Sequence, residues 1–177
     1  MCAVSTSRPY HHGDLRAALL DAALELLEED ETFSLRAVAR RAGVSPNAPY
    51  RHYADKEALL AALATYGFAQ LADRLEAAAE LTDMAEQYVA FALAHPGLFR
   101  LMYGRPTANA AAARTAEILA SRLAAPALQI GAWAMVHGLA VLLLDGKLTC
   151  ADPAQLVRTT VAAALTPAAP AGNRLDS

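Results

Sequence analysis

Residues 34–60 read SLRAVARRAGVSPNAPYRHYADKEALL, and this stretch decides the fold. Ser34 is a favourable N-cap residue for a helix. Apolar residues follow it at the spacing of a single helix face: Leu35, Val38, Ala39 and Ala42. Gly43 can take the positive φ that ends a helix, and Ser45-Pro46 supplies an N-cap and a first-turn proline for the next one. Two short helices joined by a tight glycine turn are the layout of a helix-turn-helix.

The helix after this turn is expected to be short. It has room for residues 46–53 before Asp55 caps a long helix that runs to about residue 80. Pro49 lies inside the short helix, and a proline disfavours α geometry in the residue before it, here Ala48. Within the first turn of a helix the missing proline N–H costs little. We therefore expect the short helix to persist with a distorted start.

Helical signals continue on both sides of this region. A first helix is predicted from residue 13 or 14 to Glu29, and aromatic residues make up only 6% of a chain that is rich in alanine. Five further helices are predicted at residues 82–94, 96–103, 109–124, 126–144 and 153–164. The sequence thus predicts an all-α fold: a flexible N-terminal arm (1–12), a helix-turn-helix domain (13–56), a linking helix (57–80), a second helical domain (81–165) and a disordered tail (166–177).

The charge is distributed unevenly along the chain. The whole sequence of 177 residues has a net charge of −3, which argues against general binding to nucleic acid. Between residues 32 and 56, however, five basic residues face one acidic residue: Arg36, Arg40, Arg41, Arg51 and Lys56 against Asp55. A local excess of this kind can meet phosphate even on an acidic protein. The two cysteines, Cys2 and Cys150, and the polar N-terminus favour a reduced, cytoplasmic protein that is not exported.

One segment is long and apolar enough to test for a membrane span. Residues 123–144 contain no charged side chain, and about 20 residues cross a bilayer. Pro126, Gln129, His137 and two glycines interrupt the segment, which weakens that interpretation. We expect a soluble helix that is buried between its own domain and a partner subunit, with a membrane span as the alternative.

Two sets of motifs resemble a known family. Residues 33–45 (FSLRAVARRAGVS), 50–53 (YRHY) and 55–60 (DKEALL) resemble the DNA-binding segment of TetR-family transcriptional regulators. Residues 94–103 (AHPGLFRLMY) and 133–140 (WAMVHGLA) resemble the C-terminal domain of the subset named for its Trp, His and Gly. The resemblance implies an all-helical homodimer in which residues 13–56 bind DNA. Residues 81–165 then form a ligand-binding and dimerisation domain.

The predicted DNA interface combines this resemblance with side-chain chemistry. Tyr50, His52 and Lys56 match family positions that reach phosphates, and Tyr53 matches one that packs inward. Asn47 can bridge N6 and N7 of adenine, or it is a solvated turn residue; Arg36 can reach guanine, phosphate or solvent. The full set is Ser34, Arg36, Ser45, Asn47, Ala48, Tyr50, Arg51, His52 and Lys56. A second group precedes the first helix and forms either a minor-groove arm or a frayed terminus: Arg8, Tyr10, His11 and His12.

The second domain carries candidate residues for a ligand pocket. They are Phe91, His95, Met102, Tyr103, Trp133 and His137, all of which fit equally well as core residues. No catalytic, cofactor or metal-ligand motif is found, so we do not expect an enzyme. The sequence predicts a regulator, acting as a repressor that binds a near-palindromic operator as a homodimer and is released by a small apolar ligand. A helical interaction module without DNA binding is the alternative.

Overall fold

The computed structural model describes residues 15–29, 31–104 and 109–165 of the chain. These ranges form α-helices and one 3₁₀ helix and contain no strand, which confirms the all-α prediction. The helices are α1 (Leu15–Glu28), α2 (Leu35–Arg41), α3 (Lys56–Ala77), α4 (Leu81–Ala94), α5 (Pro96–Tyr103), α6 (Ala110–Ser121), α7 (Pro126–Leu144) and α8 (Pro153–Leu165), with the 3₁₀ helix at Pro49–Arg51. The arm at residues 1–12, including Arg8, Tyr10, His11 and His12, lies outside the described residues. The tail at residues 166–177 does so too.

Proline residues mark the start of three helices. Pro96, Pro126 and Pro153 each occupy the first position of a helix, as the sequence predicted. Proline is tolerated there because the first N–H groups of a helix have no partner inside it. The predicted starts of α5, α7 and α8 are therefore confirmed.

The described residues form two compact units, and the first comprises those within 15–69 and 95–112 except residues 30 and 105–108. In its described part α1 packs against both α2 and α5, and α3 contributes the residues up to 69. Its core is built from large apolar side chains with almost no exposed surface: Leu19, Leu26, Val38, Leu59, Leu63, Leu98, Phe99 and Met102. Sequence analysis assigned residues 96–103 to the second domain, whereas the structure packs this helix with the helix-turn-helix.

The second unit comprises, among the described residues, 70–94 and 113–165. Helix α4 packs against α7 and α8, and it buries Met84, Tyr88 and Phe91. Ion pairs tie the outer helices to this core: Arg158 Nη1 lies 2.6 Å from Glu86 Oε2, and Arg114 bonds Asp73 at 2.8 Å. Each unit therefore has its own apolar core.

Helix α7 leaves much of its apolar surface uncovered. Only Val136 and Ala140 are fully buried on it, while Ile130 is 67% exposed and Leu128 is 58% exposed. In the part of the chain that the structure describes, α7 is the one helix long and apolar enough to cross a membrane. A helix at a subunit interface can have the same length and composition, so these two properties do not show that α7 crosses a membrane.

Candidate nucleic-acid interface

The N-terminus of α2 is capped by Ser34. Its backbone is extended, with φ −152° and ψ 157°, and its Oγ accepts a hydrogen bond from the Ala37 N–H at 3.1 Å. A serine hydroxyl that accepts here still has its own hydrogen to donate. Ser34 therefore fixes the start of α2 and keeps a donor for a phosphate oxygen.

The turn after α2 is closed by Gly43. This residue has φ +69°, a conformation that side chains with a Cβ disfavour. The Val44 N–H donates to the Ala39 carbonyl at 3.0 Å, and the Gly43 N–H donates to the Arg40 carbonyl at 3.2 Å. These two bonds form a Schellman motif, which ends the helix within one residue. The glycine turn predicted from the sequence is confirmed.

The element after the turn departs from the prediction. Residues 46–53 do not form an α-helix; they contain a single 3₁₀ turn at Pro49–Arg51. Because Pro49 has no N–H, the Ser45 carbonyl accepts instead from the Ala48 N–H at 2.9 Å, one residue closer than in an α-helix. The Arg51 and His52 N–H groups also bond three residues back. The expectation that the short helix would persist was therefore wrong, although Ala48 keeps α geometry before Pro49, with φ −60° and ψ −43°.

The predicted contact residues form an accessible surface around this turn. Tyr50 is 52% exposed, and Ser34 and Ala48 are half-buried. The remaining predicted residues are all exposed: Arg36, Ser45, Asn47, Arg51, His52 and Lys56. A cleft of about 580 Å³ brings Arg36 and Asn47 together with Val44, Pro46 and Arg40. Arg40 was not among the predicted contacts, although its place four residues after Arg36 puts both on one helix face.

Arg41 is paired with carboxylates and does not belong to the basic surface around the turn. Its guanidinium lies 2.7 Å from Glu29 Oε2, 3.2 Å from Glu31 Oε2 and 3.5 Å from Glu25 Oε2. The hydrogen bond with Glu29 raises the pKa of Arg41 and lowers the pKa of the Glu29 carboxyl. Arg41 is thus neutralised by three carboxylates and ties α2 to the end of α1. The basic face consists of Arg36, Arg40, Arg51 and Lys56.

Lys56 lies at the first position of α3, where the helix dipole favours an anion. The preceding Asp55 caps the helix, since its Oδ1 accepts from the Ala58 N–H at 2.8 Å. The Lys56 ammonium lies 5.6 Å from the centroid of the Phe33 ring. This contact orients an exposed cation beside a helix N-terminus, an arrangement suited to phosphate.

Tyr53 packs inward, as the resemblance implied, and is 4% exposed. Its hydroxyl oxygen is buried without a hydrogen-bond partner, which costs about 1–3 kcal/mol. We expect Tyr53→Phe to raise the free energy of unfolding by about 1 kcal/mol in urea denaturation. Tyr50→Phe, which removes an exposed hydroxyl, is the control and should leave stability unchanged. Equal stability of Tyr53→Phe and wild type would show that the hydroxyl has a partner in solution.

The candidate ligand residues are divided between the two units. Met102 and Tyr103 lie in the first unit. There the ring of Tyr103 packs against the ring of Phe68, with the two centroids 5.3 Å apart. His95 is half-buried at the start of α5, and Phe91 is buried in the second unit with the Arg74 guanidinium 5.4 Å from its ring. No group of His, Cys, Asp or Glu among the described residues could hold a metal ion.

The second unit contains an apolar cavity of about 30 Å³. Trp133 is the one predicted pocket residue that lines it. The other lining residues come from α4, α6, α7, α8 and the segment between α6 and α7: Leu81, Met84, Ala85, Tyr88, Leu119, Leu123, Gln129, Ala132, Met135, Val136 and Val161. Gln129 donates to the backbone carbonyls of Ala120 and Leu123 at 3.1 and 2.8 Å. Sequence analysis noted Gln129 as a polar interruption of an apolar segment, but periodicity alone could not show that it faces a cavity.

His137 lies beside this cavity, and its Nδ1 is 3.0 Å from the Tyr88 hydroxyl oxygen. Burial lowers the pKa of His137 below its usual value. The unfolded chain therefore binds more protons near pH 6, and the free energy of unfolding should fall as the pH drops through the unfolded pKa of about 6.5. We expect the difference in melting temperature between pH 7.5 and pH 5.5 to be smaller for His137→Gln than for wild type. An identical difference in the two proteins would contradict this assignment.

A capped short helix, a Schellman turn and exposed basic residues on both sides of that turn form a helix-turn-helix of the kind found in DNA-binding regulators. Two family models match the sequence. Residues 19–63 match the bacterial regulatory proteins of the tetR family, and residues 81–164 match the tetracyclin repressor-like C-terminal domain. The chain belongs to the TetR family, and it acts in DNA-binding transcriptional regulation. It is not an enzyme.

Solved structures support the same fold. A protein of unknown function from Rhodococcus sp. RHA1 is 35% identical with a TM-score of 0.73, and the match covers 89% of this chain and 96% of that one. TetR from Acinetobacter baumannii AYE is 26% identical with a TM-score of 0.55 and coverage of 86% and 80%. A tetR-family regulatory protein from Rhodococcus RHA1, at 20% identity, shares the fold with a TM-score of 0.63 and coverage of 84% and 93%. No curated protein matches the sequence.

Proposed function

We propose that the protein is a cytoplasmic homodimeric repressor that binds a near-palindromic operator and is released by a small apolar ligand. The basic face around Pro49–Arg51 is the observation that carries DNA recognition. Arg36, Arg40 and Asn47 share one cleft there, and Lys56 lies at a helix N-terminus. Base edges would be read by the cleft residues, while Lys56, Tyr50 and His52 would hold phosphates.

The exposed apolar surface of α7 supports the homodimer. Leu128, Ile130, Trp133 and Leu142 are each at least 42% exposed, and exposed apolar side chains on one helix are typical of an interface. The neighbouring helix α8 buries Val157 and Val161 and leaves Ala162 exposed. A two-fold pair of these helices would bury the apolar face and align two helix-turn-helix domains with two half-sites. A stable dimer needs about 1,000 Å² of buried area in total.

The cavity beside Trp133 supports an apolar effector. Its volume of about 30 Å³ exceeds the ~15 Å³ that one water needs but is far below that of a drug-sized pocket. A ligand therefore has to enlarge the cavity by moving side chains such as that of Trp133, which is 43% exposed. A ligand that binds this enlarged form more tightly than the DNA-bound form lowers operator affinity. At saturation, the factor equals the ratio of the ligand's affinities for the two forms.

Trp133 is the single tryptophan of the chain, so its fluorescence reports on this cavity. A library of uncharged apolar compounds should contain members that change the emission, raise the melting temperature and release the protein from DNA. Compounds that raise the melting temperature without changing the emission bind elsewhere. A full library without any effect on either signal would refute the effector part of the proposal and leave DNA binding intact.

DNA binding is tested by mobility shift with the DNA upstream of the chain's own coding region and with duplexes selected from random sequence. Lys56→Ala should weaken binding to all duplexes alike and reduce the slope of log affinity against log salt by about one unit per subunit. Lys147→Ala is the matched control, because it removes an exposed cation on the loop after α7. A loss confined to one sequence, at an unchanged salt slope, would mean that Lys56 reads a base.

A further inference from the structure

The end of α1 and the start of α5 are joined by one carboxylate. Glu28 Oε2 accepts a hydrogen bond from the Gly97 N–H at 2.8 Å, and Glu28 Oε1 accepts one from the Leu98 N–H at 3.0 Å. Residue 95, the N-cap of α5, makes no capping bond with its own side chain. Glu28 therefore supplies, from another helix, the cap that α5 lacks locally.

Gly97 brings the two backbones into direct contact. A Cβ on Gly97 would lie 2.6 Å from the Leu27 carbonyl oxygen and 3.2 Å from Glu28 Oε2. No other residue fits there without moving the backbone of α1. The segment His95-Pro96-Gly97, which is not among the predicted DNA contacts, thus has a physical role: it lets the first turn of α5 pack on the last turn of α1.

The other end of α5 is anchored on α3. Met102 and Leu98 pack against Gly67, where a Cβ would lie 2.6 Å from Met102 Sδ. Tyr103 packs between the rings of Phe68 and Phe99, with centroids 5.3 and 4.9 Å away. Within the first unit, α5 therefore packs against α3 and against the end of α1.

The last turn of α1 also holds the helix-turn-helix. Glu25 on α1 and Glu29, the residue directly after α1, bind Arg41, the last residue of α2. The end of α1 is consequently where α2 attaches on one side and α5 on the other. If α5 were released, α1 and α2 would lose their fixed orientation relative to the Lys56 end of α3.

We propose that Glu28 is a positioning residue for operator binding: by capping α5 it fixes α1 and α2 at the orientation in which the basic face fits a half-site. The inference rests on the proposed function, because it concerns the same DNA interface. Specific binding requires two domains to dock on half-sites a helical turn or its multiple apart. Non-specific binding depends chiefly on charge and tolerates misorientation.

The test compares Glu28→Gln with Asp21→Asn, an exposed acid on the same helix. Both changes remove one negative charge, which alone would strengthen attraction to DNA. In Glu28→Gln one oxygen can still accept, but the amide NH₂ faces the other donor. We expect Glu28→Gln to weaken binding to the selected operator about tenfold, while its affinity for a scrambled duplex is no lower than that of wild type. Asp21→Asn should bind the operator at least as tightly as wild type.

Hydrogen exchange tests the contact without DNA. The Gly97 and Leu98 amides should exchange faster in Glu28→Gln than in wild type, while amides in the middle of α3 stay equally protected. Glu28→Asp keeps the charge but is one methylene shorter. Its Gly97 and Leu98 amides should exchange at rates between those of wild type and Glu28→Gln. This variant provides a second test in case Glu28→Gln folds poorly.

The outcomes separate the two proposals. A wild-type chain that binds no duplex refutes the proposed function, whatever the exchange data show. If wild type binds its operator and Glu28→Gln binds it equally well or more tightly, the positioning role of Glu28 is refuted. Equal loss of operator and scrambled-duplex affinity would also refute it, because that pattern indicates general destabilisation.

Discussion

Ile130→Asp is expected to convert the proposed dimer into a monomer and to abolish tight operator binding. Ile130 is 67% exposed on α7, and in a two-fold interface it would be buried twice. Burial of one isoleucine contributes about 1.5–3 kcal/mol, so its loss at both copies raises the dimer dissociation constant by about 10²–10⁴-fold. An aspartate would in addition bury an unpaired charge. Sedimentation at micromolar concentration should show a monomer.

Gln87→Asp provides the control for this change. Gln87 is exposed on α4, in the same unit, and the substitution introduces the same charge at a polar position. It should leave both sedimentation and operator affinity unchanged. If Ile130→Asp stays dimeric at micromolar concentration, the exposed face of α7 is not the dimer surface. If it becomes monomeric yet binds a full operator as tightly as wild type, DNA recognition does not need the dimer.

Features that depend on neighbouring residues could be predicted from the sequence. The cap by Ser34, the glycine turn at Gly43 and the proline starts of α5, α7 and α8 each involve residues within about five positions. Their physical cause is local, because an N-cap or a positive φ depends on the residue type and its immediate hydrogen bonds. The core face of α2 followed for the same reason from its apolar spacing.

Features that depend on distant partners were not accessible from the sequence. Arg41 counted as a free cation in the charge pattern, but carboxylates 10 to 16 positions earlier neutralise it. The packing of α5 with the first unit follows from Gly97 against Leu27 and from Glu28, about 70 positions away in the chain. Candidate pocket residues were chosen by type, whereas cavity lining is decided by how four helices pack. Pro49 is an intermediate case: its missing N–H was noted, but which hydrogen bonds replace it depends on the whole turn.

We expect the 3₁₀ turn to make Asn47 the decisive residue for base reading. Without an α-helix over residues 46–53, few side chains are directed along one recognition face, and Asn47 shares its cleft with Arg36 and Arg40. A bidentate asparagine–adenine contact is worth about 1–3 kcal/mol of discrimination at one base pair. In a homodimer the contact occurs in both half-sites. We therefore expect Asn47→Ala to weaken operator binding by about 2–6 kcal/mol and to relax specificity at one symmetric position.

Selection of duplexes from random sequence by wild type and Asn47→Ala measures this effect position by position. The mutant should lose its preference at one base pair per half-site and keep it at the others, with an unchanged salt slope, because no phosphate contact is removed. Arg36→Ala in the same assay should relax a different position, since arginine prefers the O6 and N7 atoms of guanine. If Asn47→Ala selects the same sequences as wild type while Arg36→Ala does not, the proline-shortened turn has moved base recognition from the loop to α2.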